Sequence, residues 1–229
     1  SDPAVAEVSN GEESRGVALG KTVGAITVTA TDPVSGVVGT APLTVTSALL
    51  QAIVITPANA MLPTGFGQQY TASGQFSDGV FRDVTTQVSW STINPAVANI
   101  DNSTGRKGFV TAVSPGSTSV VANLNGVSAT TAVSVANIAL TSIDVTPKDQ
   151  AFSAGESLQF TAIGTFADDS SLDLTRQVIW SSSNVNAARI SNAEGSEGLA
   201  TAGSTPATSA ITATRGDING STTLRRRLF

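Results

Sequence analysis

The side chains that most often carry out chemistry in proteins are missing from this sequence of 229 residues, which contains no histidine and no cysteine. Thiol nucleophiles, cysteine or histidine zinc sites, haem ligation by histidine and Ser-His-Asp triads are therefore excluded. Carboxylates remain as potential acids and bases, but none lies in a catalytic motif, and there is no glycine-rich phosphate loop. We therefore expect no catalytic residues, no cofactor and no enzymatic activity.

Two aspartates recur at matching places, Asp83 in the sequence D-V-T and Asp173 in the sequence D-L-T. A carboxylate at such a turn typically accepts hydrogen bonds from backbone N–H groups, and we predict this structural role for both. A calcium ion would need six or more converging oxygen ligands. We expect no bound metal, with calcium at a domain junction as the alternative.

One tripeptide has the residue types of a receptor-binding loop, Arg215-Gly216-Asp217. It lies between two predicted strands, where a hairpin tip would expose its guanidinium and its carboxylate. A receptor could coordinate the carboxylate through a metal and pair the guanidinium with acidic groups. The alternative is a plain hairpin turn, in which glycine and aspartate are common. The other repeats described below lack the tripeptide.

Charge and hydropathy exclude two classes of partner. The net charge is −5 and charged residues make up only 13% of the chain, which disfavours binding to nucleic acid or to an anionic membrane surface. No apolar run approaches the 18 residues or so of a membrane-spanning helix. The 40% of hydrophobic residues is sufficient for a folded core.

An internal repeat organises the chain, because segments separated by 90 positions match each other. The matching pairs are AIVITP (52–57) with SIDVTP (142–147), QQYTASGQF (68–76) with LQFTAIGTF (158–166), and DVTTQVSWS (83–91) with DLTRQVIWS (173–181). DPAVAEVSN from Asp2 matches NPAVANIDN from Asn94 at an offset of 92 positions. We therefore predict a partial repeat over 1–48 that holds only the second half of the unit, and full repeats over 49–138 and 139–229. The segments joining them are short and apolar, which predicts limited bending between neighbours.

Each repeat reads as a series of short strands separated by turn residues, with no helical periodicity. The longest strand is predicted over 68–76, and Asn125-Gly126 predicts a tight hairpin. About seven strands in 90 residues favour a two-sheet sandwich, so the fold class is all-β. The residues expected in its core are Trp90, Trp180, Tyr70 and Phe160.

The repeated frame resembles the bacterial immunoglobulin-like group 2 family. The resemblance rests on V-x-P, then G-x-x-x-Q-[FY]-T-A-x-G-x-F-x-D, then D-[VL]-T-x-x-V-x-W-S-[ST], then N-x-x-x-A-x-I and G-x-[VA]-T-A. Both full repeats match this frame from end to end, and the partial repeat matches its distal part. It implies tandem immunoglobulin-like sandwiches in a rod, as in the stalks of bacterial adhesins of the intimin and invasin type. The final segment departs from the frame, since Arg225–Phe229 carries three arginines where the earlier units alternate. It could be a basic docking tail or a non-native end.

The preferred interpretation is a structural spacer in a bacterial cell-surface or secreted adhesin, with neighbouring immunoglobulin-like domains of the same or another chain as partners. One alternative is a virion or extracellular filament component, in which another subunit completes the partial repeat by supplying its missing strands. A second alternative is direct binding of a receptor or a surface carbohydrate through the 215–217 loop.

Overall fold

The computed structural model describes residues 2–226, a part of the chain that contains twenty-four strands and no helix. No segment of this part could therefore cross a membrane as a helix. Two compact units are present: Ser1–Gln51 with Phe76–Val80, and Ala52–Gln75 with Phe81–Phe229. The prediction of an all-β fold is confirmed.

The partial repeat forms four strands in two antiparallel pairs. The strands are β1 (Ala6–Val8), β2 (Ala18–Gly20), β3 (Gly24–Thr31) and β4 (Val38–Val45). β1 pairs only with β2, and β3 pairs only with β4 among the described strands. A small core around Ala6 and Ile26, which are 3% and 8% exposed, holds this unit together.

The second repeat has ten strands in three sheets. They are β5 (Leu50–Thr56), β6 (Ala60–Pro63), β7 (Gly67–Gln69), β8 (Thr71–Phe76), β9 (Phe81–Asp83), β10 (Ser89–Thr92), β11 (Ala98–Ile100), β12 (Phe109–Ala112), β13 (Gly116–Leu124) and β14 (Val127–Ala136). The sheet orders are β5-β8-β9, β10-β13-β14-β6 and β11-β12-β7. Only β6 runs parallel to its neighbour, β14.

The third repeat has the same strand order. Its strands are β15 (Leu140–Thr146), β16 (Gln150–Phe152), β17 (Ser157–Gln159), β18 (Thr161–Phe166), β19 (Ser171–Asp173), β20 (Ile179–Ser182), β21 (Ala188–Ile190), β22 (Leu199–Ala202), β23 (Thr208–Arg215) and β24 (Ile218–Arg226). The sheets β15-β18-β19, β16-β24-β23-β20 and β17-β22-β21 match those of the second repeat one by one. Sequence repetition therefore reflects repetition of the whole strand order.

Two strand predictions need correction. The run 68–76 is not one strand, because Tyr70 separates β7 from β8 and the two lie in different sheets. At this break the Tyr70 N–H donates to the carbonyl of Gly108 at 2.8 Å. The alternating strand at the end of the chain also persists further than expected, since Leu224 is buried and Arg225 is exposed within β24. Residues 227–229 lie outside the described part.

The repeated aromatic residues fill the centre of each sandwich. Tyr70 and Phe160 are fully buried, and Trp90 and Trp180 are each 3% exposed. Burial of an indole requires a partner for its N–H. Trp90 donates to the carbonyl of Thr85 at 3.0 Å, and Trp180 makes the matching bond to Thr175 at 2.9 Å.

The two repeated aspartates cap the turns that precede these tryptophans. Asp83 accepts the N–H of Thr85 at 2.8 Å, and Asp173 accepts that of Thr175 at the same distance. The predicted capping role is thus confirmed. Hydrogen bonds from Thr85 hold the pKa of Asp83 below its ordinary value, because they stabilise the charged carboxylate.

The hydroxyl of Tyr70 is buried without a hydrogen-bond partner, whereas the third repeat has Phe160 at the same place. We expect Tyr70→Phe to stabilise the second repeat by about 1 kcal/mol, because a buried polar group without a partner costs free energy. Chemical denaturation measures the change. Phe160→Tyr is the reciprocal control and should destabilise the third repeat; a loss of stability in Tyr70→Phe would contradict the assignment.

Alkaline pH should reveal the same buried phenol. Burial raises the pKa of Tyr70 from its ordinary value of 10 to about 12, so in the folded state the group keeps its proton where the unfolded chain loses it. Below pH 10 this group should therefore leave the free energy of unfolding unchanged. Between pH 10 and 12 the free energy of unfolding should fall by roughly 2 to 3 kcal/mol, so that the folded state becomes less stable. Urea titrations across this range should show the decline in the natural chain and a smaller one in Tyr70→Phe. An equal decline of the free energy of unfolding with pH in the two proteins would contradict this prediction.

Candidate functional site

The predicted receptor-binding loop forms the turn between the last two strands of the third repeat. Arg215 is the last residue of β23 and pairs with Ile218, so the loop itself is Gly216 and Asp217. Gly216 has a φ of +58°, as a glycine at the first position of a two-residue hairpin often does. Gly216 and Asp217 are exposed, whereas Arg215 is half-buried.

The Arg215 side chain is directed into the contact between the second and third repeats. Its two terminal nitrogens donate to the carbonyls of Gln177 at 2.8 Å and of Gly65 at 2.9 Å. The guanidinium carbon lies 5.2 Å from the centre of the Phe66 ring, a cation–π distance. These contacts occupy two of the five N–H donors of the guanidinium. Receptor binding through the loop stays a prediction.

Gln177 forms a second, paired contact across the same junction. Its side-chain carbonyl accepts the Gly67 N–H at 2.8 Å, and its amide nitrogen donates to the Gly67 carbonyl at 2.9 Å. One side chain therefore pairs with both the N–H and the carbonyl of Gly67, as the backbone of a neighbouring strand would. A hydrogen bond from the same nitrogen to the carbonyl of Asp173, at 3.1 Å, fixes the amide within its own repeat.

Glycine is required at position 67 by the close packing around it. A Cβ atom there would lie 2.4 Å from the Phe109 ring and 2.6 Å from the Val110 carbonyl. Glycine therefore allows the β7 backbone to approach β12 while its N–H and carbonyl remain available to Gln177.

Two further contacts join the repeats. Phe66 packs edge-on against Phe166, with ring centres 4.9 Å apart and planes at 88°. Arg176 donates to the carbonyl of Gly105 at 3.1 Å. We call six residues at this contact the junction clamp: Phe66, Gly67, Phe166, Arg176, Gln177 and Arg215. Gly67 contributes its backbone groups, and the other five contribute their side chains.

A groove of about 450 Å³ lies beside the junction clamp, with Gln68 and Gln69 on one side and Asp173 and Arg176 on the other. The directional contacts that join the two repeats therefore lie next to open space. Single side chains should consequently matter more for the orientation of the repeats than for the stability of either one.

Within residues 2–226 no group of three or more aspartates and glutamates is placed to hold a metal ion. Asp78 and Asp168 accept backbone N–H groups within their own turns. Calcium binding remains untested.

Sequence reasoning singled out one residue of the junction clamp, in a different role, and missed the other five. Arg215 was noticed as part of a receptor tripeptide. Gln177 was overlooked although a glutamine recurs at position 87, immediately before the valine of the D-[VL]-T-x-Q-V frame. A polar residue repeated between a turn and a core strand was the available signal.

Comparison with known proteins defines the class to which this fold belongs. The profile of the bacterial Ig-like domain (group 2) family matches residues 50–135 and 139–225. The chain therefore belongs to this family, and the resemblance seen in the sequence is confirmed. The two matches coincide with the second and third repeats.

One curated relative is Ice-binding protein 1 of Shewanella frigidimarina (strain NCIMB 400), which is 36% identical over 202 residues. The alignment covers 87% of this chain but only 22% of the relative, so the chain spans about a fifth of that protein's length. Among solved structures, domains 4–9 of the surface layer protein SbsC give a TM-score of 0.49 at 16% identity, covering 98% of this chain and 38% of that one. Domains 5–6 of the same protein give 0.45 at 14% identity, covering 79% and 98%.

Proposed function

We propose that this chain is a non-catalytic spacer segment of a bacterial cell-surface or secreted adhesin, in which consecutive Ig-like domains are held at a fixed angle. The observation that carries the proposal is the junction clamp. It joins the second and third repeats by hydrogen bonds between two side chains, those of Gln177 and Arg215, and backbone groups of residues 65 and 67.

A spacer must keep its shape between its ends, and the clamp has the chemistry for this. Side-chain bonds to backbone groups fix position more closely than contacts between two mobile side chains, since only one partner loses rotamer freedom. The connection from β14 to β15 is only three residues long, 137–139, which further limits the accessible angles. Connections of Gly and Ser residues, in contrast, behave as flexible coils.

The length of this relative supports the proposal that the chain is part of a larger protein. Ice-binding protein 1 is named for a ligand, and this chain corresponds to about a fifth of its length. We propose that the present chain likewise belongs to a longer extracellular protein and positions a ligand-binding part of it. The chain is assigned no ice-binding role of its own.

Direct receptor binding is the second candidate function, favoured by the exposure of Gly216 and Asp217 at a hairpin tip. Asp217→Glu distinguishes it from the spacer, because lengthening the carboxylate would misplace it at a receptor-bound metal while leaving the clamp intact. Loss of cell adhesion in this variant would favour a receptor, and unchanged adhesion would exclude that role for the loop.

Backbone ¹⁵N relaxation of the chain tests the spacer. If the clamp holds, amides in the second and third repeats should fit one common anisotropic rotational diffusion tensor. Two independent, faster-tumbling repeats would contradict the proposal.

A further inference from the structure

The strand that carries the tryptophan, β10 in the second repeat and β20 in the third, lies at the end of its four-stranded sheet. In an antiparallel pair, alternate residues bond to the neighbouring strand and the residues between them point away from it. The Ser183 N–H donates to the Ala210 carbonyl at 3.0 Å, so both backbone groups of Trp180, three residues earlier, point outward at the free edge. The pairing of β10 with β13 places Trp90 in the same way.

One asparagine occupies this edge in each full repeat. Asn192 accepts the Trp180 N–H on its Oδ1 at 2.7 Å, and its Nδ2 donates to the Trp180 carbonyl at 2.9 Å. Asn102 makes the same pair of bonds with Trp90, at 3.0 and 2.9 Å. The two asparagines lie 90 positions apart, as the repeats do, and both are exposed. Each amide therefore pairs with an outward-facing residue of an edge strand as the backbone of a further strand would.

These two edges lack the usual protection against pairing with another chain. Proteins commonly protect an edge strand with lysine, proline or an inward-pointing charge. The segments VSWSTI (88–93) and VIWSSS (178–183) contain no charged residue and no proline. Ile93 and Ile179 are both 71% exposed. Short uncharged segments with such β-branched and aromatic residues pair readily with copies of themselves.

The asparagine amide leaves little of the edge open to another strand. The outward-facing residues of β20 are Trp180 and Ser182, and both backbone groups of Trp180 are bonded to Asn192. Just before the strand, the Val178 N–H donates to the Leu174 carbonyl at 3.1 Å. One remaining residue does not make a ladder. Removal of the amide would leave two successive outward-facing residues, which is the start of one.

We propose that Asn102 and Asn192 are edge-closing residues, which keep β10 and β20 from pairing with the tryptophan strand of a second copy of this chain. The amide supplies the two bonds that a neighbouring strand would supply. It also ends the ladder, because a side chain has no further backbone groups to offer. Each asparagine acts within its own repeat, so its role is independent of the junction clamp and of the spacer function.

Asn192→Ala in the whole chain is the variant that opens the edge of β20. Self-association should become tighter by roughly 10-fold or more than in the natural chain, a factor that corresponds to one or two net hydrogen bonds. Sedimentation velocity measures the association. Amide ¹H–¹⁵N spectra over a dilution series locate it, with shifts expected at Trp180 and Ser182. Asn186→Ala is the matched control, since Asn186 is an exposed asparagine of the same repeat that lies outside β20; it should associate no more than the natural chain.

Asn192→Asp separates closure of the edge from a role in stability alone. Both variants of Asn192 lose the bond to the Trp180 carbonyl, so both should destabilise the third repeat. The aspartate also places a negative charge at the edge, and charges there prevent pairing. We therefore expect the alanine variant to associate and the aspartate variant to remain as the natural chain is. A role in stability alone predicts that the two variants associate to the same extent.

Asn102→Ala applies the same test to β10 and guards against a third repeat that fails to fold. Association through the tryptophan strand in either alanine variant, absent from Asn192→Asp and Asn186→Ala, supports the proposal. Folded alanine variants that associate no more than the natural chain overturn it, as does association that shifts other amides or that is equal in the aspartate variant. Unfolding of the affected repeat in both alanine variants would assign the two amides to stability alone and would also overturn it.

Discussion

Replacing Gln177 and Arg215 together by alanine is expected to free the second repeat from the third while both stay folded. The double variant removes three hydrogen bonds across the junction and the contact of Arg215 with the Phe66 ring. At about 1 kcal/mol for each hydrogen bond, with incomplete additivity, the junction should lose roughly 2 kcal/mol or more. That loss lowers the ratio of closed to open junctions by about 30-fold.

The readout for this variant is ¹⁵N relaxation, which should change from one common diffusion tensor to separate tumbling of the two repeats. The unfolding midpoint of each repeat should move little, because the freed backbone groups of residues 65 and 67 gain access to water beside the groove. Arg189→Ala is the matched control, an exposed arginine of the same repeat away from the junction. Common tumbling retained in the double variant would mean that the clamp does not hold the repeats.

Trp180→Ala is expected to lower the free energy of unfolding of the third repeat by about 3 to 5 kcal/mol, as large-to-small changes of buried aromatic residues do. Trp180 is 3% exposed, and its removal leaves a cavity and an unpaired carbonyl at Thr175. Since a domain of this size is stable by only 5 to 15 kcal/mol or so, this repeat should approach unfolding at ordinary temperature.

Urea denaturation followed by near-ultraviolet circular dichroism measures the loss in Trp180→Ala. Ile179→Ala provides the control, because Ile179 is the preceding residue of the same strand and is 71% exposed; it should change stability by less than about 0.5 kcal/mol. Trp90→Ala should act in the same way on the second repeat. A loss below about 1 kcal/mol in both tryptophan variants would contradict the assignment of these residues to the sandwich core.

Repetition made the fold predictable to a large extent. Trp90 and Trp180 recur 90 positions apart within the same frame, and a tryptophan after a capped turn in a strand-rich repeat indicates a core residue. The hairpin at Asn125-Gly126 also followed from local chemistry, and both residues have positive φ angles as that turn requires. The tryptophan and hairpin predictions depend only on residues that are neighbours in the sequence and on the alternation of side chains along a strand, which has a period of two residues.

The break at Tyr70 could not be predicted in this way. The alternation of residues continues across it, from Gln68 to Phe76, and only the transfer of the chain from one sheet to another interrupts the strand. That transfer is set by the distant Gly108, whose carbonyl accepts the Tyr70 N–H. An alternating pattern predicts which side chains face the core, but it does not predict to which sheet the strand belongs.

The junction clamp could not be predicted from the sequence either, because its contacts connect residues far apart in the chain, such as Gly67 with Gln177, 110 positions apart, and Gly65 with Arg215, 150 positions apart. Neither glycine has a side chain whose type could indicate a contact. An arginine is suited both to a receptor-binding loop and to the junction clamp. Which role Arg215 has therefore depends on where the backbone carbonyls of the neighbouring repeat lie. The sequence could identify the residue but not its partner.

The distance between spin labels on the second and third repeats tests the fixed angle most directly. The chain has no cysteine, so Thr130→Cys and Ser221→Cys, both at exposed strand positions, would attach one label to each repeat. Pulsed electron–electron double resonance should give one narrow distance distribution, limited in width by the label linkers, that broadens when Gln177→Ala and Arg215→Ala are added. A broad distribution in the chain with an intact clamp would contradict the account.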